Sequence, residues 1–501
     1  MKKLLIANRG EIACRVIRTA RDMGIRTVAV ASDADARSVH ANLADELVMI
    51  GEPEPSTSYL RMDTLVEAAR EIGADAVHPG YGFLSERADF VDACTAAGIT
   101  FVGPSGDAMR ALGDKIRSKG LAEANNVPVT PGLFRPGATS EELLAASEEI
   151  GFPVMLKASA GGGGRGMRAV SSVEAFIPSL EVASAEALAA FGDGAMMVEK
   201  LVESPRHIEV QFVADGHGNV AVFYERECSI QRRHQKLIEE APSVAMTDTM
   251  WESMRQSATR LALAAKYVGA GTVEFMLDPS TGEYYFLEVN ARLQVEHPVS
   301  ELITGVDLVA LQILVARGES LADHVHPSIL AGDRGAIHGH AIEARIVAED
   351  ASKGFMPSIG PLLGFAMPVG PGIRVDTGYA EGGEISRFYD SLVAKVIAHG
   401  STREAARMRL IGALEDTHIL GVRTNIPSIL NILKDKDFQD GRFDTAYLSR
   451  HPRLLTDSGE HPAELANLVE HARTGGGSHE TAGITAAQSS WALNDRFRST
   501  D

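Results

Sequence analysis

Cysteine and tryptophan are scarce in this chain, with three and two copies in 501 residues. Cys14, Cys94 and Cys228 lie far apart and none belongs to a C-x-x-C pair. The sequence therefore offers no disulfide framework, and free thiols in a reducing cytoplasm are expected. Positive charge is also in deficit: 48 Lys and Arg against 67 Asp and Glu give a formal net charge of -19. That balance argues against general nucleic-acid binding but permits a local basic pocket for a small anion. No apolar run approaches the ~18 residues of a membrane span. The opening MKKLLIANRGEIA is broken by Asn8, Arg9 and Glu11 before it reaches the length of a signal h-region. No internal repeat is visible. What remains, 45% hydrophobic and 23% charged residues, is ordinary for a globular chain too long for one core. Two to four domains of a cytoplasmic enzyme are expected, with no nucleic-acid or membrane partner.

The first hundred or so residues read as repeated β-α units. Leu4 to Ala7 forms a short apolar strand, Asn8-Arg9-Gly10 a turn, and Ile12, Ala13, Val16, Ile17 and Ala20 one face of a helix that Gly24 ends. Further strands are expected at Thr27–Ala31, Ala76–His78 and Thr100–Val102, which implies an α/β unit with a parallel sheet. The first turn is not G-x-G-x-x-G, so a dinucleotide is not expected, and Gly10 reads as a tight turn at a special backbone angle. A second region starts near Gly113-Asp114-Lys115 and runs through strands to about residue 300. A third, roughly 335–446, opens with HGHAIEARIVAED and includes a helix around Arg403–Leu414. After about residue 452 the Gly/Ser/Thr-rich TGGGSHETAGITAAQSS reads as a flexible linker leading to Trp491, a candidate docking anchor.

The most visible local signal is the run Lys157-Ala-Ser-Ala-Gly-Gly-Gly-Gly-Arg-Gly-Met-Arg168. Consecutive glycines let backbone N–H groups approach phosphate oxygens, and Lys157, Arg165 and Arg168 add positive charge. The run lacks the G-K-[ST] ending of a Walker A loop. It reads as a phosphate-binding loop that can move as a lid.

The segment from Gly271 to His297 carries the strongest physical argument. GTVEFMLD and YYFLEVN are strand-like runs joined by PSTGE, a hairpin with a five-residue loop. If Asp278 pairs with Tyr284, Glu274 falls opposite Glu288. Like charges placed so are destabilising, and a divalent cation would reverse the penalty. Glu288, Asn290 and Arg292 are expected on one face, and Leu287, Val289 and Ala291 on the other. LQVEHPVSE then crowds Gln294, Glu296 and His297 together. In RHIEVQFVAD, His207, Glu209 and Gln211 alternate with Ile208, Val210 and Phe212. ERECSIQRRHQK packs Arg226, Gln231, Arg232, Arg233, His234 and Lys236 together, and in so acidic a chain this suggests an anion site.

These residues resemble the biotin carboxylase family. IANRGEIACRVIR, HPGYGFLSE, GDK, KASAGGGGRGMR, RHIEVQ, ERECSIQRRHQK, NARLQVEHPVSE and FYDSL occur in the family's order and spacing over about residues 1–446. The resemblance implies an ATP-grasp fold of mixed α/β and α+β class. It comprises a Rossmann-like domain at 1–112, an ATP-grasp domain at 113–334 with a mobile lid at about 130–203, and a C-terminal biotin carboxylase domain at 335–446. An extension at 447–501 follows.

The resemblance also implies roles. Lys115 and Lys157 would hold the ATP phosphates, and Gly163 and Gly164 would lie in the lid loop. Glu199, Lys200, Leu201 and Val202 would recognise adenine, with His207, Gln231 and His234 completing the nucleotide site. Glu274, Glu288 and Asn290 would bind Mg²⁺ or Mn²⁺. Lys236, Arg292 and the backbone of Val295 would contact bicarbonate, Glu296 would be the general base, and Arg345 would stabilise the biotin oxyanion. Ala160, Ala291 and Phe388 depart from the family pattern, Ala160 bearing on lid mobility. The implied chemistry is ATP- and bicarbonate-dependent carboxylation of biotin through carboxyphosphate. Acetyl-CoA, propionyl-CoA and pyruvate systems all use such a module. Another ATP-grasp ligase, such as a carbamoyl-phosphate or purine-pathway enzyme, is the nearest rival, and a non-catalytic binding subunit is the alternative of another class. The Ala-Met-Lys-Met type sequence of a biotin carrier does not occur in this chain. Biotin is therefore expected on a separate biotin carboxyl carrier protein, alongside a separate carboxyltransferase subunit, with the chain itself a homodimer.

Overall fold

The computed structural model describes residues 1–135, 137–159 and 166–456. Gly163, Gly164, Ala160, Arg165 and Trp491 lie outside them.

The chain opens as a five-stranded parallel sheet. Its strands are β1 (Lys3–Ile6), β2 (Arg26–Ala31), β3 (Glu46–Met49), β4 (Ala76–His78) and β5 (Thr100–Phe101), in the order β3-β2-β1-β4-β5. Leu4, Leu5 and Ile6 are all fully buried, as expected of a central strand covered on both faces. The helix Gly10–Asp22 buries Ile12, Ala13, Val16, Ile17 and Ala20, the expected stripe. Gly10 starts it at φ 66° and Gly24 follows it at φ 69°, so both glycines sit where a side chain would be strained. The sequence pattern missed β3, a half-exposed edge strand.

A four-stranded antiparallel sheet follows, built from β6 (Gly132–Leu133), β7 (Val154–Ala158), β8 (Met167–Val170) and β9 (Met196–Lys200) in the order β6-β9-β7-β8. Helices Ser140–Ile150 and Val173–Phe191 pack on it. They close a small separate core around Leu143, Leu156, Phe176, Leu180 and Val198. The first helix carries a capping box between Thr139 and Glu142.

The frame of the molecule is an eight-stranded antiparallel sheet. Its first strands are β10 (Arg206–Ala214), β11 (Val220–Arg232), β12 (Gln235–Ala241), β13 (Gly269–Leu277), β14 (Tyr284–Asn290) and β15 (His340–Val347). Strands Ile373–Thr377 and Leu392–Gly400 complete it, and the order is β14-β13-β10-β11-β12-β15, then 392–400, then 373–377. Residues on either side of position 335 therefore share one sheet, joined where β12 pairs with β15. The helix Arg403–Glu415 packs against its far end through Ala406, Leu410 and Leu414. Among the described residues no single helix is long and apolar enough to cross a membrane.

Candidate active site

The hairpin of β13 and β14 differs from expectation at its tip. Leu277, not Asp278, pairs with Tyr284, one residue out of the expected register. Asp278 instead closes the turn, its N–H donating to Glu283 O at 2.8 Å. The offset persists to Phe275, which pairs with Phe286; a bulge then restores the expected register and Glu274 pairs with Glu288. The extra residue is Leu287. A bulge breaks the alternation of faces, and Leu287 lines the cleft rather than sharing the buried face of Val289 and Ala291.

One cavity of about 1340 Å³ gathers the described candidates. Lys115, Lys157, Glu199, Lys200, Leu201 and Val202 line its lid side. His207, Gln231, His234, Lys236, Glu274, Glu288, Asn290, Arg292, Val295, Glu296 and Arg345 line the sheet side. Residues from β7 to β15 thus meet in one space, as a ligand site built by several elements requires.

Lys236 is the hub. Its Nζ lies 2.7 Å from Glu209, 3.1 Å from Glu274 and 2.6 Å from Glu296. Burial alone would lower its pKa, but these carboxylates outweigh it and hold the ammonium well above its usual range. Glu296 is gripped from both sides, by Lys236 and by Arg345 Nη2 at 2.9 Å. Burial would raise its pKa; Lys236, Arg345 and Arg226 instead hold it well below the ordinary carboxylate range. Arg345 reaches Glu239 at 2.5 Å as well. Arg292 donates to Glu86 at 3.0 Å and to Asn290 Oδ1 at 2.9 Å. Gln231 meets His207 Nδ1 at 2.7 Å, and His207 Nε2 stands 2.8 Å from Glu274.

The facing carboxylates are unequal. Burial would raise the pKa of Glu274, yet Lys236 and His207 hold it well below its usual value. Glu288 is pushed up, first by burial and then by Glu274. Among the described residues no hydrogen bond satisfies Glu288, while Asn290 Nδ2 donates to Glu274 at 2.9 Å. Two facing carboxylates, one of them without a hydrogen bond, with the Asn290 amide beside them, fit a hard divalent cation such as Mg²⁺ or Mn²⁺.

The basic clusters divide. Arg226, fully buried, serves the sheet, bonding Glu209, Gln211, Ser300 and Gln294. Arg168 sits on β8 and pairs with Glu186 at 3.1 Å, outside the cavity lining. Neither belongs to the anion site that the sequence suggested, because neither side chain lines the cavity. Glu199 is 1% exposed and ion-paired to both Lys157 and Lys119. Burial would raise the pKa of its carboxyl, but the two lysines hold it at about 2. Burial lowers Lys119 to about 8. Sequence reasoning passed over Lys119, although it follows Lys115 by one helical turn. It also gave no role to Glu86, which closes the HPGYGFLSE motif, or to Glu239 and Lys395, whose only signal is pairing between distant segments.

The fold and this cleft define an ATP-grasp protein. Family profiles described as biotin carboxylase N-terminal domain, carbamoyl-phosphate synthase L chain ATP-binding domain and biotin carboxylase C-terminal domain match residues 1–109, 114–324 and 343–450. A biotin carboxylase from Halalkalibacterium halodurans is 47% identical over 91% of this chain and 99% of its own. The methylcrotonoyl-CoA carboxylase subunit alpha of Oryza sativa is 45% identical over 94% of this chain, which spans 64% of that longer relative. The crystal structure of the biotin carboxylase domain dimer of Hydrogenobacter thermophilus 2-oxoglutarate carboxylase, with MgADP, ADP and bicarbonate, superposes with a TM-score of 0.86. It is 46% identical and covers 91% of this chain and 99% of that one. The chain belongs to the biotin carboxylase family.

Proposed function

We propose that the chain carboxylates the ureido nitrogen of biotin, using ATP and bicarbonate and passing through carboxyphosphate. The observation that carries this reading is the unbroken line Glu274–Lys236–Glu296–Arg345. It joins a pair of facing carboxylates to an arginine at the other end of one cavity.

Glu296, ionised across neutral pH, accepts the bicarbonate proton at a carboxylate oxygen. Lys236 and Arg292 orient the bicarbonate with the Val295 backbone, so that its oxygen attacks the γ-phosphorus of ATP. Lys115 and Lys157 meet the phosphates from the lid side, and phosphoryl transfer is mostly positioning and electrostatics. Glu199, Lys200, Leu201 and Val202 form the edge against adenine; the Glu199 side chain serves the lysines there. Glu274, Glu288 and Asn290 would hold Mg²⁺ or Mn²⁺, which supplies charge neutralisation at the phosphates when bound. Carboxyphosphate gives carbon dioxide and phosphate, the phosphate takes the biotin N–H proton, and the nitrogen attacks carbon dioxide. Arg345 stabilises the oxygen anion on the ureido carbonyl.

The same reading places biotin on a carrier protein beside a separate carboxyltransferase, with the chain a homodimer in a reducing cytoplasm. Support comes from a biotin carboxylase that matches nearly end to end, from the dimeric relative, and from three buried unpaired thiols. The test is ADP release from Mg-ATP. It should require bicarbonate and rise strongly with biotin, and release indifferent to both would refute the assignment.

A further inference from the structure

Past Arg345 the same sheet face holds a carboxyl group that the proposed reaction does not use. Register sets Glu239 on β12 opposite Glu343 on β15, and Arg345 opposite Lys395 on strand 392–400. Glu343 and Arg345 are two residues apart on one strand, so all four side chains share a face. Glu343 is 0% exposed, and neither of its carboxylate oxygens has a hydrogen-bond partner. Glu239 gives Oε1 to Arg345, and its Oε2 is also without a partner.

The charged groups that act on Glu343 are Lys395, Glu239, Arg345 and Glu296. Both cations are already committed. Lys395 donates to Val295 O at 2.9 Å and lies 3.2 Å from Glu11 and 3.5 Å from Asp376. Arg345 spans Glu239 and Glu296. Two adjacent, fully buried carboxylates with no spare cation cannot both ionise, and the one farther from positive charge keeps a proton.

Resting on the biotin reading of Arg345, we propose that Glu239 and Glu343 share one proton and act as a singly charged positioning pair that holds Arg345 at the biotin end of the cleft. Glu343 is the acid and donates to Glu239 Oε2, while Glu239 Oε1 accepts from Arg345. The proton stays within the pair. Ionising Glu343 would place a second negative charge behind Arg345, draw the guanidinium back and oppose the developing oxygen anion. Burial acts in the required sense, pushing Glu343 well above the usual carboxyl range and Glu239 up to about 7.

Infrared difference spectroscopy on the full chain at neutral pH tests this without turnover. Wild type minus Glu343→Gln should show the carbonyl stretch of a buried protonated carboxylic acid. In Glu239→Gln that band should shift, because its hydrogen-bond acceptor changes from carboxylate to amide. This second variant decides the matter if the first does not fold. A difference spectrum lacking the band, or a band unmoved in Glu239→Gln, overturns the pair. In biotin-dependent turnover, the alkaline limb of kcat should move up by about one pH unit or more in Glu343→Gln, with KM for ATP unmoved. An unshifted limb counts against the pair. A band present in a chain indifferent to biotin would sink the functional reading alone. Biotin-dependent turnover without the band would sink the pair alone.

Discussion

Glu274 and Glu288 face each other across β13 and β14, one residue out of step with the turn that joins the strands. The bulge at Leu287 absorbs the mismatch. Without it the turn register would set Glu274 against Leu287, and the two carboxylates would not meet.

Glu288→Gln should therefore lower Mg²⁺-dependent turnover by about 100-fold or more, on the scale of losing an ordered group at a metal site. Removing one of two like charges also relieves the burial and repulsion that raise the Glu288 pKa. Thermal unfolding of the metal-free variant should match wild type or lie higher. Full activity would refute the metal role.

Arg345→Ala should damage biotin carboxylation more than bicarbonate-dependent ATP cleavage, because its place is at the biotin end. Glu296→Ala should damage both, since Glu296 acts on bicarbonate first. Parallel assays of ADP release and carboxybiotin formation separate the two. Equal losses in both assays for both variants would contradict the roles.

Much of this was legible beforehand for physical reasons. The parallel sheet followed from apolar runs between helical stripes. The facing carboxylates followed from strand alternation, even with the tip register wrong, because the bulge cancelled the error. Leu287 was misplaced because a bulge leaves no mark in period-two patterning. Arg226 and Arg168 looked like ligand contacts because composition cannot distinguish a cation committed to Glu209 or Glu186 from a free one. Glu239, Glu343 and Lys395 were silent, since their meeting depends on strand pairing between distant segments of the chain.

Lys119→Met should raise KM for ATP by about tenfold, equivalent to ~1.4 kcal/mol. With Lys119 gone, Glu199 has Lys157 alone as counter-ion and holds it away from the phosphates. KM for bicarbonate should stay constant. Steady-state kinetics with each substrate varied will show it, and an unchanged KM for ATP would remove Lys119 from the site.

Glu240 offers a pH test. Burial would raise its carboxyl, yet Arg403 at 2.6 Å and His340 at 2.7 Å hold it at about 2. A lowered carboxyl contributes stability that is fully present above the unfolded value of ~4.3 and lost as pH falls toward the folded one. Arg403→Met should cost ~3 kcal/mol near neutral pH, and the gap to wild type should narrow as pH falls through the carboxylate range. Denaturant melts at neutral and acidic pH measure it. A gap constant with pH would show that the loss is packing alone.

The sheet that crosses position 335 has a kinematic consequence. Glu288 and Arg345 stand on strands of one hydrogen-bonded fabric. In the proposed reaction the phosphoryl end and the ureido end are thus fixed points on a single rigid gauge. A four-stranded unit serving as the expected lid would govern admission of nucleotide while leaving unchanged the span between the place where carbon dioxide is released and the place where it is captured.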